Sequence, residues 1–376
     1  MTARSRLRRD DRRTRAARED GRRGGQPRAT RTRRSGAPRA RRRAQDWTRL
    51  SDAELLERPI ASLGLRLEGT ALEARIQRLE VELERAGLRF RPRVWLGSDW
   101  FSPDGVPGFS VPFYLAHPRL ARLERRHMFE VEGGTQEACM RLLRHETAHA
   151  LDNAYRLRRR KRWRESFGPA SRPYRDVYVP RPTSRRYVLN LDYWYAQSHP
   201  LEDFAETFAV WLQPGSRWRQ RYAGWPALRK LETVDALVRE VAPQPPRVHS
   251  RARPDRVESL GITLREYYRE KQAFYRHDQA PEYDDALLRV FSREPGSRRE
   301  TPAALLMRSR GELRRTVSGV TGQHPYLVDQ VLNELIVRSR ALGLRLAHPE
   351  RSSRVAAGAL LTMLTTSFVA GGPSES

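Results

Sequence analysis

Leu72, Ile76, Leu79 and Leu83 recur three and four residues apart, and Gly87 closes the run. Apolar residues at that spacing share one face of a helix, so 70–86 reads as an amphipathic helix ended by a glycine. Just upstream, Ser51-Asp52-Ala53-Glu54 ahead of Leu55 and Leu56 has the form of a capped helix start. The period then changes. Leu88, Phe90, Val94 and Leu96 surround Pro92, which predicts a short edge strand; Phe109 to Leu115 predicts a second, after a Pro- and Gly-rich turn over 102–108. Gly133-Gly134-Thr135 interrupts the pattern before a long helix expected from Gln136 to Arg164. Pro- and Arg-rich residues 168–186 read as loop. Helices follow over Leu201 to Leu212, Leu264 to Tyr275 and Tyr326 to Leu342, and no internal repeat is found.

This pattern predicts an α+β, mostly helical fold with a small edge sheet at 88–96 and 109–116 near the long helix, and a helical extension at the C-terminal end. Its divisions are a tail over 1–45, a main domain over 46–242, a linker over 243–255 (PQPPRVHSRARPD) and a helical region over 256–376. The stretch from Val355 to Ser374 is uncharged, but its apolar part is shorter than the ~20 residues a membrane span needs, so it reads as a buried terminal helix.

Charge changes the picture at the N-terminal end. The 376 residues carry a net +27, and residues 1–45 alone hold 18 arginines against four acids. With almost no large apolar residue that tail cannot offset its ordering entropy, so disorder is expected. It can meet polyanions through counterion release, although without an aromatic residue it lacks a base-stacking platform. No apolar run follows it, which argues against a secretory signal. The single cysteine, Cys139, excludes an internal disulfide and fits a cytoplasmic location. Its place on an apolar helix face reads as core packing.

The chemistry centres on His145-Glu146-Thr147-Ala148-His149. Residues four apart share a helix face, so both imidazoles can reach one ion while Glu146 lies beside it. Zinc suits such a pair: it lowers the pKa of a water in its open position, and the glutamate takes the proton. The helix context agrees, with Ala138, Leu142, His145 and His149 on one stripe and Leu143, Ala150, Ala154 and Leu157 on another. A third ligand six residues after His149 is ruled out, because that position is Tyr155 and the glycine such a site requires is Asp152. Further on, Leu201-Glu202-Asp203-Phe204-Ala205-Glu206-Thr207-Phe208-Ala209 offers Glu202 and Glu206 on one face and Phe204 and Phe208 on another. One carboxylate can bind zinc while the other accepts the free N–H of a zinc-bound histidine.

H-E-x-x-H followed by P-x-E-D-F-A-E-T-F-A resembles a bacterial family of zinc-binding metallopeptidases, and is similar to the lethal-factor-like gluzincins. The likeness is specific over Leu142–Asp152 and Asp192–Trp211. It implies a zincin-like core that hydrolyses peptide bonds in a peptide or protein substrate. It also implies His145, His149 and Glu202 as zinc ligands, Glu206 in the outer shell, Glu146 as base and Tyr195 as oxyanion donor. Tyr193 competes for that last role. An extended substrate would add along the sheet edge.

Other residues carry blander expectations. His199, ahead of Pro200, reads as a capping or surface residue and Asp203 as solvated or as an acid that suits the helix N-terminal dipole. Asp152 is divided between an outer-shell bond and a salt bridge to nearby arginines. His117, His127, His249, His277, His324 and His348 have no ligand-like spacing. The run Arg156 to Arg164 reads as the cationic end of the long helix. The alternative to a peptidase is a nucleic-acid-associated basic protein with a structural or vestigial metal site, for which the tail and the overall charge argue.

Overall fold

The computed structural model describes residues 46–174, 181, 183–275, 283–293 and 299–370. The N-terminal tail, with the disorder and polyanion contact expected of it, lies outside them, as does His277.

The Ser51 capping box forms as expected and opens α1 (Asp52–Leu56). Thr70 caps α2 (Ala71–Arg85), which buries Leu72, Leu79 and Leu83 on its apolar stripe; Gly87 leaves it at φ +79°, a left-handed turn that suits a residue without Cβ. The two short runs become β1 (Arg93–Gly97) and β2 (Gly108–Pro112), paired in parallel with Trp95 opposite Ser110. The second run ends sooner than its apolar residues suggested. After Pro112 the chain winds into a 3-10 turn over Phe113–Ala116, still fully packed at Phe113 and Tyr114. The outer edges of the pair are not bare, since Gly97 bridges to Arg256 and Ser110 to Phe101.

The helix α3 (Pro118–Met128) leads to α4 (Gln136–Tyr155), capped by Thr135 and buried at every position from Leu142 to Tyr155. Here the expected helix to Arg164 is corrected. Arg156 turns left-handed at φ 55°, a short 3-10 turn follows, and α5 (Lys161–Phe167) starts afresh. The break has a bonding cause. Asp152, buried in the last turn of α4, accepts from the backbone N of Arg158 at 2.7 Å and pairs with its guanidinium, so the chain must fold back over the carboxylate. Of the two roles weighed for Asp152, the salt bridge is the one that forms.

The helix α6 (Pro200–Leu212) packs on α4 and is buried at all positions but Trp211. Phe204 meets Trp163, Phe167 and Phe208 in an aromatic cluster, as its face predicted. The helices α7 (Trp218–Arg221), α8 (Ala227–Val241) and α9 (Leu264–Phe274) follow. Residues 243–255 are not a free linker. Ala154 O accepts from the backbone N of Arg247 and Val248, and Trp95 Nε1 donates to Pro254 O. Beyond them Val257, Leu264, Tyr267 and Tyr268 belong to the same core as α2, α4 and α6. The hydrophobic boundary therefore falls after Tyr275.

A second core gathers Leu287, Leu305, Val317, Leu332 and Leu361 from α10 (Tyr283–Val290), α11 (Pro302–Arg308), α12 (Arg310–Thr321), α13 (Pro325–Ala341) and α14 (Glu350–Ala370), one from each. A two-residue antiparallel pair, β3 (Phe291–Ser292) with β4 (Arg345–Leu346), closes it. The helix α14 is amphipathic rather than wholly buried: Leu360, Leu361 and Leu364 face inward while Val355 and Met363 are exposed. No described helix is long and apolar enough to cross a membrane. The second core touches the first where Tyr275 stacks on His324 and Phe129 on Tyr326.

Three histidines share one structural use. His117, His199 and His324 each precede a proline, and each accepts from the backbone N two residues on at 3.1 Å. An imidazole Nδ1 here replaces the usual Ser or Asp cap ahead of a proline at the first helical position.

Candidate metal centre

Burying a carboxylate without partners costs several kcal/mol or more, so each acid inside a helix core must be answered by a donor or a cation. The α6 helix buries three: Glu202, Asp203 and Glu206. How each is answered defines the site.

Glu202 Oε2 lies 3.1 Å from His145 Nε2 and 3.3 Å from His149 Nε2, and the two Nε2 atoms are 3.2 Å apart. Each of these residues offers one ligand atom within 4.8 Å of the others, a set that can hold a metal ion, and all three are buried. Glu206 Oε1 accepts from His145 Nδ1 at 2.7 Å, which leaves Nε2 directed at the cluster. Asn190 Nδ2 and Leu191 N also donate to Glu206, at 2.9 and 2.8 Å. Burial presses His145 toward its neutral form, but its hydrogen bonds to Glu202 and Glu206 outweigh that and raise it to about 9.

Asp203 lies in the first turn of α6, where an acid suits the helix dipole, but it is not solvated. It is buried, and Lys230 Nζ donates to its Oδ2 at 2.6 Å. Burial raises its pKa to about 7, with the Lys230 charge opposing. The sequence distance to Lys230 gave no periodic signal of this pair. His199 is not a ligand, since Nδ1 caps α6 and Nε2 donates to Arg172 O at 2.6 Å.

Glu146 stands next to His145 on α4, fully buried and outside the ligand set. Its Oε2 accepts from Ser102 Oγ at 2.6 Å. Ser102 lies in the turn joining β1 to β2, and Asn153, one helical turn beyond His149, pins that turn: its Nδ2 donates to Pro103 O and Val106 O, and its Oδ1 accepts from Gly105 N. The Tyr195 ring sits 5.8 Å from the His145 ring and is buried, on a 3-10 turn in which Trp194 takes φ 52°. The side chain of Tyr193, its competitor, lies outside the described residues.

Two further contributors escaped sequence reasoning besides Asn153 and Asn190. One is Ser102, hidden in a region recognisable only as turn. The other is Tyr174, whose hydroxyl donates to Glu202 Oε1 at 2.7 Å and whose ring stacks on His199 at 3.8 Å. The first signal that could have found Tyr174 is the aromatic residue itself in an otherwise Pro- and Arg-rich loop.

Compared with protein-family models, with curated proteins and with solved structures, the chain matches none.

Proposed function

We propose that this chain is a zinc-dependent peptidase of the gluzincin type with a zincin-like core, in which His145, His149 and Glu202 hold the metal. The observation that carries this reading is the division of labour among buried carboxylates. Glu202 converges with two imidazoles, Glu206 orients one of them, and Glu146 is kept apart, held by Ser102. Two imidazoles and a carboxylate fit zinc with an open position. They also fit ferrous iron, but a spare buried carboxylate beside the set suits hydrolysis. Zinc when bound would supply a Lewis acid that polarises the scissile carbonyl and acidifies water.

The chain's own residues do the rest. Glu146 takes a proton from the attacking water and returns it to the leaving amine. Ser102 fixes the carboxylate that makes this transfer, and Asn153 fixes Ser102. Tyr195, beside His145, is the donor to the developing oxyanion, a contribution worth about 3–4 kcal/mol in a well-formed site. Tyr174 engages the Glu202 oxygen that does not face the histidines, so Glu202 offers a single oxygen inward. A structural site in the nucleic-acid alternative would be closed by a fourth protein ligand, and among the described residues the set contains three; a vestigial site would bind no zinc.

Purified protein should contain about one equivalent of zinc by elemental analysis and cleave members of a broad peptide library. His149→Ala should lose most of both. Equal zinc in the two proteins, iron in place of zinc, or no cleavage by the zinc-loaded chain would overturn the reading. Tyr174→Phe removes one outer-shell bond and should weaken zinc about 10–100-fold in chelator competition. An unchanged affinity would show that Tyr174 is only a packing partner of His199.

A further inference from the structure

A separate recess of about 420 Å³ opens between α2, α4 and the end of α6, within the ~300–1,000 Å³ range of small-molecule sites. Four guanidinium groups line it: Arg78, Arg141, Arg144 and Arg221. Their acidic partners are too few. Arg144 forks onto Glu82 at 2.7 and 2.9 Å, and Arg78 draws on the same carboxylate at 3.3 Å. Arg141 donates to the Asn190 carbonyl and, among the described residues, meets carboxylates only at 3.6 Å (Glu137) and 3.9 Å (Asp192), both strongly exposed and so screened. Its Nε is buried with no hydrogen-bond partner among the described residues. Arg221 makes no ion pair among the described residues, and its guanidinium lies 5.4 Å from the Tyr222 ring.

We propose that this recess binds a small molecule bearing a phosphate monoester. Four guanidinium groups against Glu82, Glu137 and Asp192 leave a surplus of positive charge in a partly enclosed space. A phosphate monoester carries about −1.5 to −2 at neutral pH and offers three strong acceptor oxygens. Guanidinium forks pair with such oxygens bidentately, and the Arg221 fork and Arg141 Nη2, which lies 3.6 Å from the exposed Glu137, are the donors left for them. Arg144, at the floor, is 4% exposed and locked by Glu82, so it contributes a fixed charge rather than a moving arm. None of the metal ligands lines the recess, although Asn190, which donates to Glu206, does.

The test is calorimetric titration of the full-length chain with glycerol 2-phosphate, a weak chelator that leaves a metal centre in place. One saturable site per chain is expected. Arg221→Ala should weaken it at least about tenfold, the loss of one charge-assisted bond. Arg89→Ala, an exposed arginine elsewhere on the surface, should bind as wild type does. Succinate, a dianion without a phosphoryl group, should bind more weakly. Absence of saturable binding, an equal loss in Arg89→Ala and Arg221→Ala, or succinate binding as tightly as the ester would each overturn the proposal.

Discussion

Glu146→Gln should keep its zinc and lose at least about a hundredfold in peptide hydrolysis, the lower end of what a positioned general base contributes. The substitution is nearly isosteric. Its amide oxygen can still accept from Ser102 Oγ, the contact that holds the native carboxylate at 2.6 Å. What disappears is basicity. Glu146 is fully buried, so the replacement leaves no new exposed surface and the fold should stand. Zinc content and turnover must be measured on the same preparation, because the two readouts separate three cases. Retained zinc with lost activity supports the base. Lost zinc would make Glu146 a ligand and redraw the site. Retained zinc with wild-type turnover would remove Glu146 from the chemistry and with it the proposed mechanism.

Much of this site could be read in the sequence because helical periodicity fixes which side chains share a face. His145 and His149 had to be neighbours once their segment was helical, and Glu202 and Glu206 likewise. Docking α6 on α4 then needed only the apolar faces that both segments show. What stayed hidden was whatever depends on a loop crossing a long stretch of chain. Ser102 reaches Glu146 over 44 residues, and Tyr174 reaches Glu202 over 28, each from a segment without periodicity. The break at Arg156 was hidden for another reason. A run of arginines is a good helix former and gives no stop signal, so only the capture of Arg158 by Asp152 ends α4 where it ends. Residues 243–255 misled in the opposite direction. Proline and arginine read as linker, yet an extended backbone can still be ordered by its carbonyls and amides, here through Ala154 and Trp95.

The three acids of α6 should separate cleanly when each is replaced by alanine and the dissociation constant for zinc is measured by chelator competition. Glu202→Ala removes the carboxylate that faces both imidazoles and should abolish tight binding. Glu206→Ala leaves the ligands in place but frees His145 Nδ1, Asn190 and Leu191 N of their acceptor, and should weaken zinc about 10–100-fold. Asp203→Ala should leave zinc affinity near wild type, since the Asp203 carboxylate pairs with Lys230 and is not in the ligand set. Its cost falls on the fold instead. Lys230 would keep its approach to the Tyr187 ring but lose its carboxylate, and stability should drop by about 1–3 kcal/mol, read as a lowered urea midpoint. Asp203→Ala thus loses stability while keeping zinc, so a loss of stability alone does not account for zinc lost in the other two variants. If Glu206→Ala loses zinc more completely than Glu202→Ala, the two carboxylates have exchanged roles. If Asp203→Ala releases the metal while folding as stably as wild type, α6 presents a different face to α4 and the ligand set itself is wrong.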